Sequence, residues 1–516
     1  MSLAEQMSQM QPNARGDNDN FESAKAASGS APGNWKQGET LVVDVADLSD
    51  RGDGVGRWND RVVFVPQTAI GDRALVRLVR VKRAFANAKL LKIVTPSPDR
   101  QRPPCIVADK CGGCQWQHIT HNPEVSDRAD DRGGQGGQLG AKYQQVVQAL
   151  QRIGGFEAPP VAPVKTTGQA LHYRNKVTYP VNRSEDGRLR IGYYQKGSHK
   201  IVNINRCLVQ PESFDDILQQ VKHDIAGRNW PIYDEKKHQG EVRHIGLRIG
   251  RHTGEVLLTL VTRGGKLAGL EEQAERWLEE FPGLVGVTVN FNPKKTNAIF
   301  GAETYTVAGS GVLNERFAGL NLELGADTFF QVNTEAAEIL VETLIEGLAL
   351  QPDESLLDAY CGIGTLTLPL AKAVKQAIGI EVHERSVDRA EANALANGIE
   401  NASFYSGRVE DRLFQVASDR LFGEVDAVVL DPPRQGCDPA AIDALRRLKP
   451  KRIGYVSCKP ATLARDLKLL CEDGLFSLDR VQPVDLFPQT SHVESVAILT
   501  LDPAVAAATQ EVRKIE

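Results

Sequence analysis

Three groups of side chains in this chain have types and spacings that can do chemistry. The first is a thiol, Cys458 in Tyr455-Val-Ser-Cys-Lys-Pro-Ala-Thr-Leu-Ala-Arg-Asp466, at a point where a strand-like run ends and a helical one begins. A helix N-terminus and the neighbouring Lys459 would both favour thiolate, against an unperturbed pKa of about 8.5. The second is a set of acids at the ends of other strand-like runs. Asp358 opens the glycine turn Asp-Ala-Tyr360-Cys-Gly-Ile-Gly-Thr365, Glu381 follows 19 positions after Gly362, and Asp431 begins Asp-Pro-Pro-Arg434. The third is a group of cysteines: Cys105, Cys111 and Cys114 fall within ten residues, and Cys207 in Ile-Asn-Arg-Cys is their natural fourth.

A glycine turn lets the backbone approach a ligand closely, and a carboxylate about 20 residues on can accept both hydroxyls of a ribose. A dinucleotide fits poorly, because Thr367 stands at the third glycine of G-x-G-x-x-G and Asp358 would repel a pyrophosphate. S-adenosylmethionine carries a cation and no phosphate, so an acidic loop suits it. Tetrapeptides like Asp431-Pro-Pro-Arg434, but with an aromatic fourth residue, serve amine methylation by stacking the base. Arg434 offers no such ring face, which points to a ring carbon as the acceptor. Pyrimidine C5 is a poor nucleophile toward a sulfonium methyl group, and a thiolate added at C6 makes it an enolate. A base must then remove the C5 proton. Phe487-Pro-Gln-Thr-Ser-His492-Val-Glu494-Ser offers His492 and Glu494, of which one is expected to face the ring.

Four thiolates suit either zinc or a cubane iron-sulfur cluster. Zinc commonly uses two close pairs, which this spacing does not supply, yet spacing alone leaves both open. The Cys-x3-Cys-x2-Cys of radical methylthiotransferases is absent.

These residues must be positioned by a chain of 516 residues, long enough for about three domains. Apolar residues make up 41% and charged residues 25%, ordinary for a globular protein. No apolar stretch approaches a membrane span, and the polar start has no signal-peptide core. A cytoplasmic protein without a membrane partner, and a monomer, is expected. Lys and Arg number 61 against 66 Asp and Glu, a net charge of -5, so a nucleic-acid site would have to be a local patch.

Residues 1–37 read as a disordered tail. Residues 38–98 carry short β-rich runs with glycine turns, which predicts a small β-barrel. Between Gly71 and Lys92 stand seven basic residues and one acid, a local charge of +6 that suits an RNA backbone. Residues 99–330 begin with a Pro-rich joint and the cysteine segment. A low-complexity stretch over 122–140 reads as a flexible loop, followed by a helix over 141–155 closed by Gly154 and an α+β domain. From 331 to 516 strands and helices alternate, which predicts a Rossmann-like α/β domain with ligands at the strands' C-terminal ends.

Together, SCKPATLARD, DPPR, DAYCGIGT and FPQTSHVES resemble the RNA 5-methyluridine methyltransferase family over about residues 38–502. With the barrel and the cysteines, the match is to its branch acting on 23S ribosomal RNA. The resemblance implies S-adenosylmethionine-dependent methylation of a uridine C5, with Cys458 as nucleophile and Glu494 as base. Gln331 of Phe-Phe-Gln-Val-Asn, Tyr360, Thr365, Glu381 and Asp431 would line the cofactor and target pocket. It implies a TRAM-like, RNA-binding barrel and a [4Fe-4S] cluster on Cys105, Cys111, Cys114 and Cys207. A tRNA target is the alternative within the family, and a non-catalytic RNA chaperone is the alternative outside it. Lys459 stands where the family has Asn, Arg408 where a polar adenine contact is expected, and the Ser126–Gly140 loop looks like an insertion.

Overall fold

The computed structural model describes residues 35–121, 135–418 and 424–505. The expected tail, apart from its last three residues, and residues 122–134 of the expected loop lie outside them.

Strands β1 (Thr40–Leu48), β2 (Gly54–Trp58), β3 (Arg61–Val65), β4 (Arg73–Val81) and β5 (Phe85–Thr95) close into a barrel in the order β1-β2-β3-β5-β4. Alternation along β4 explains the closure: Ala74, Val76 and Leu78 face a core shared with Val43, Val63, Ala86 and Ala88, while Arg73 and Arg77 face out. All seven basic residues of the 71–92 stretch are exposed. The acid among them is not part of that surface. Burial would raise Asp72, but the Arg100 guanidinium and the N–H groups of Ala69 and Ser97 hold its carboxyl below the usual range. Arg100 thus offsets Asp72 beneath the stripe, and on the outer face Arg73 pairs with Asp44 at 3.7 Å.

After α1 (Gly137–Ala149), β6 (Lys176–Arg183), β7 (Leu189–Tyr194), β8 (Ile201–Asn203), β9 (Val242–Ile249), β10 (Val256–Thr262), β11 (Leu284–Phe291) and β12 (Glu303–Gly309) form a seven-stranded sheet, order β12-β11-β10-β9-β6-β7-β8. Helices α2 (Ser213–Gly227) and α3 (Leu270–Glu280) pack on it, and β13 (Val312–Phe317) and β14 (Leu320–Gly325) form a separate hairpin. Helix α1 begins four residues earlier than the periodicity predicts and takes in the end of the expected loop. The reason is tertiary: the Gln138 amide is buried and donates to the carbonyls of Trp116 and Ile119. The left-handed closing residue is Gly155 (φ 77°), one past the expected Gly154.

The last sheet has the order β17-β16-β15-β18-β19-β21-β20. Strands β15 (Ser355–Asp358), β16 (Gln376–Glu381), β17 (Ala402–Ser406), β18 (Ala427–Leu430) and β19 (Arg452–Ser457) run parallel, whereas β20 (Phe476–Val484) and β21 (Glu494–Leu501) form an antiparallel edge. The helices are α4 (Thr334–Leu348), α5 (Thr367–Ala371), α6 (Glu384–Ala396), α7 (Val409–Ser418), α8 (Pro439–Leu448) and α9 (Pro460–Leu470). The chain runs outward from β15 to β17 and then returns to place β18 on β15's other side. That reversal leaves a crevice at the strands' C-terminal ends.

The loop from Asp485 to Val493 joins β20 to β21 and is pinned from three directions. Asp485, fully buried, pairs with the equally buried Lys142 of α1 and with His121 Nε2 at 2.8 Å. Lys142 Nζ also donates to the Phe487 carbonyl at 3.0 Å. Gln138 and Gln489 bond reciprocally, and the Gln115 and Trp116 amides donate to the Gln489 carbonyl, each at 3.0 Å. Tyr173 Oη donates to the Pro488 carbonyl, and Ser491 Oγ to the Asp50 carbonyl in the barrel. Removing one member of a buried ion pair strands the other, at about 3–5 kcal/mol. Lys142→Met should therefore lower stability by about that amount in urea unfolding, with Lys142→Met/Asp485→Leu recovering part of it. A single variant within about 1 kcal/mol of the parent would show that Asp485 does not depend on its cation.

Candidate active site

Cys458, Glu494 and Asp431 act on one another at the strands' C-terminal ends, and the other expected residues stand on neighbouring elements. Cys458 stands between β19 and α9, and Glu494 opens β21. The antiparallel register pairs Ser457 with Ser495, which sets Cys458 and Glu494 opposite one another at the next position. Asp431 follows β18, Tyr360 and Thr365 belong to the turn after β15, and Glu381 ends β16. Gln331 precedes α4, and its carbonyl accepts the Asn175 side-chain N–H at 2.8 Å.

The glycine turn is held by its own acids. Gly362 (φ 55°) and Gly364 (φ 85°) adopt left-handed backbone that suits glycine. Asp358 accepts the Thr367 hydroxyl at 2.6 Å and the Tyr360 N–H at 3.3 Å. Burial still lifts its pKa to about 6. Asp358 thus braces the turn from beneath, and the acidity expected to face a ligand comes from other residues. Glu381 accepts the N–H groups of Gly362 (3.2 Å) and His383 (2.8 Å), so its carboxylate is fixed in orientation at the strand end. Arg408 is exposed and pairs with Glu410.

Electrostatics at the crevice run against the simple expectation for the thiol. Burial lifts Cys458 to about 11, and the nearby Glu494 adds to this; Arg434 opposes both by charge and by a hydrogen bond. Lys459 caps α9 by its backbone and is not among the charges acting on the thiol. Burial likewise lifts Glu494 to about 8, with Asp431 adding to the effect and Arg434 opposing it, and lifts Asp431 to about 7 with help from Asp358. His492 moves the other way, to about 4, through burial and the cations Arg434, Lys142 and Arg174. Its ring lies edge-on to Phe487, 5.8 Å between centroids. Arg434 is the residue that sequence reasoning undervalued. Its missing aromatic face was legible, but its action on Cys458, Glu494 and His492 depends on the fold.

The four clustered cysteines meet as well. Cys105, Cys111, Cys114 and Cys207 line one cavity of about 50 Å³ with Arg174, Gln117 and Tyr193. The Tyr193 hydroxyl is buried with no hydrogen-bond partner among the described residues. Also among the described residues, no three His, Cys, Asp or Glu side chains are grouped to hold a single metal ion. The thiols share a cavity without converging on one point.

Doubly wound topology, a glycine turn after the first strand and a fixed acid at the end of the second define a Rossmann-like fold, and the known proteins it resembles place it among the S-adenosylmethionine-dependent methyltransferases. Residues 313–501 match the tRNA (uracil-5-)-methyltransferase family and residues 34–91 the TRAM domain. An uncharacterized RNA methyltransferase of Nostoc sp. is 56% identical over 467 residues, 90% of this chain and 97% of that one. Another, from Halalkalibacterium halodurans, is 37% identical and covers 90% and 97%. The crystal structure of Pyrococcus abyssi tRNA (uracil-54, C5)-methyltransferase with S-adenosyl-L-homocysteine superimposes with a TM-score of 0.68 at 28% identity, covering 89% of this chain and all of that one. The chain belongs to the S-adenosylmethionine-dependent RNA uracil-5-methyltransferase family.

A carboxyl raised from 4.5 to about 8 keeps its proton in the folded state while the unfolded chain has lost it. Stability is therefore drained as pH rises from about 4.5 to 8, by at most about 1.4 kcal/mol per pH unit. Glu494→Gln has no such drain, so its stability relative to the parent should rise between pH 5 and pH 8 in urea unfolding. An unchanged difference would mean that Glu494 is ionised throughout.

Proposed function

We propose that this protein methylates C5 of one uridine in 23S ribosomal RNA, with Cys458 as nucleophile and Glu494 as base. The observation that supports it most is the opposition of Cys458 and Glu494 across paired strands, with the Arg434 guanidinium acting on both. The thiolate adds to C6, and the electron pair moves to C5 and the C4 carbonyl. C5 then takes the methyl group from the sulfonium of S-adenosylmethionine. Glu494 removes the C5 proton, and elimination of Cys458 restores the ring. A base works best with a pKa near the working pH; Glu494, near 8, meets this, and His492, near 4, does not. Gln331, Tyr360, Thr365, Glu381 and Asp431 line the donor and uracil pockets.

In this reading residues 38–98 hold RNA by the exposed basic stripe, 99–330 carry the thiol cavity, and 331–516 perform the transfer, in the cytoplasm. Four thiols around one cavity, an orphaned Tyr193 hydroxyl and the nearby Arg174 fit an anionic [4Fe-4S] group better than a mononuclear zinc site. Zinc would need sulfurs about 2.3 Å from one centre, which the arrangement does not provide. Bound there, such a cluster would supply rigid cross-linking of residues 105–114 to Cys207. Anaerobically purified protein should then hold about four irons, and colourless, iron-free protein would remove the cluster.

A tRNA uridine is the second reading, because the Pyrococcus tRNA enzyme aligns over 89% of this chain. Possession of the barrel thus does not separate the two targets. Mapping 5-methyluridine in ribosomal and transfer RNA from a deletion strain does: loss from 23S RNA supports the proposal, and loss from tRNA alone overturns it. For the chemistry, Glu494→Gln should methylate C5 and stall as a denaturation-resistant RNA adduct absent in Cys458→Ala. Normal turnover by the Gln variant would assign the base elsewhere.

A further inference from the structure

Between the barrel and the cysteine segment lies a cleft of about 490 Å³ that the proposed reaction does not use. Arg51 and Asp53 reach it from the turn joining β1 to β2, Gln115 from the cysteine segment, and Tyr193, Tyr194 and Lys196 from the end of β7 and the turn beyond it. Its size falls in the range of small-ligand sites, roughly 300–1,000 Å³, and would admit one nucleotide. We propose that this cleft binds a single unpaired nucleotide of the substrate RNA, next to the target uridine and distinct from it.

The lining has the chemistry such a guest requires. Arg51 and Lys196 supply positive charge for a phosphate, partly offset by Asp53, and Tyr194 lines the cleft with its side chain 41% exposed and its ring tilted against His199, 5.6 Å between centroids. Gln115 Oε1 is buried with no hydrogen-bond partner among the described residues, although its amide nitrogen donates to the Gly112 carbonyl. An acceptor held in that state suits an exocyclic amine or ring N–H of a base. The walls are set closely: a Cβ on Gly52 would stand 2.9 Å from Gln115 Cβ, and one on Gly112 would stand 2.8 Å from the Tyr194 carbonyl oxygen.

Position argues for a nucleotide of the same RNA rather than an unrelated small molecule. The Gln115 amide donates to the Gln489 carbonyl at 3.0 Å, and Ser491 Oγ donates to the Asp50 carbonyl at 2.8 Å. The cleft therefore abuts the loop that leads to Glu494, and one of its walls is a turn of the barrel. Tyr193 separates it from the cysteine cavity, which it also lines. On this proposal the RNA runs from the barrel past this opening to Cys458. Extruding a base from its stack costs a few kcal/mol, and a second held base would stabilise the splayed strand. The inference rests on the C5 reading for the location of the target, but not for the binding of RNA in the cleft.

Two measurements on the full-length protein test it. In the first, short RNAs containing the target uridine each carry one abasic neighbour. With the parent enzyme, one position should lose at least tenfold in kcat/KM. In Gln115→Leu/Tyr194→Ala the same abasic change should cost less than twofold further, because the base and its pocket act as a unit. Effects that multiply at every position would overturn the proposal. In the second, the photo-crosslinking residue p-benzoyl-phenylalanine replaces Tyr194, and the protein is irradiated with total cellular RNA. Crosslinks within a few nucleotides of a methylated uridine support the proposal. No RNA crosslink, or crosslinks far from any such uridine, overturn it. Crosslinks clustered at one RNA site that carries no 5-methyluridine keep the cleft and overturn the C5 reading instead.

Discussion

A carboxylate without solvent, Asp485, is the constraint on which the site depends. Burying a charge costs several kcal/mol unless a partner of opposite sign is buried with it. Lys142 is that partner, and it comes from a helix more than 340 positions earlier in the chain. Loop and helix are therefore stable together and costly apart. His121 adds the end of the cysteine segment to the same centre. Once those pieces are docked, Gln138 and Gln489 lock reciprocally, and the loop reaches β21 with Glu494 already facing Cys458. The pair's value lies in placement, since a well-packed apolar substitute could match its contribution to stability.

Within the crevice the same low polarity acts on different groups in opposite senses. It lifts Asp431, Glu494 and Cys458 and lowers His492. Near neutrality the resting site thus favours the protonated forms of Cys458 and Glu494, with Arg434 as the nearby charge favouring their ionised forms. A sulfonium brought into this site adds a second positive charge. Its arrival favours ionised carboxylates, so binding the methyl donor and ionising the proposed base Glu494 are coupled by charge.

How much of this was legible in the sequence depends on range. Strand ends carrying Asp358, Glu381, Asp431 and Cys458 were readable because each motif is local: an apolar run, then a polar or thiol residue at the strand's C-terminal end. The barrel was readable for the same reason, and the comparison with known families places a TRAM domain at residues 34–91. Three things were not. The start of α1 was hidden because Gln138 is polar and its reason for burial lies at Trp116, Ile119 and Gln489. The antiparallel edge was hidden because β20 ends in Val-Gln-Pro-Val, a weak strand signal in isolation. Arg434 was read for the ring it lacks, since nothing local shows that its charge meets Cys458 and Glu494.

The cysteine segment gains its meaning from its neighbours. Trp116 Nε1 donates to the Gly52 carbonyl, His118 contacts the Thr68 carbonyl, and Cys111 bridges to Gln195. The same stretch gives two amides to Gln489. A few residues thus touch the barrel, the central sheet and the loop from Asp485 to Val493 at once, in a segment with almost no regular secondary structure to hold its shape. A chain with so little local order loses much conformational entropy when fixed. Joining its three thiols to Cys207 through the proposed cluster would remove that freedom at the point where all three parts meet. Cys458 stands apart from that cavity, so in the proposed reading the two sets of thiols have separate tasks: one would hold the parts in register, and the other would attack the base they present.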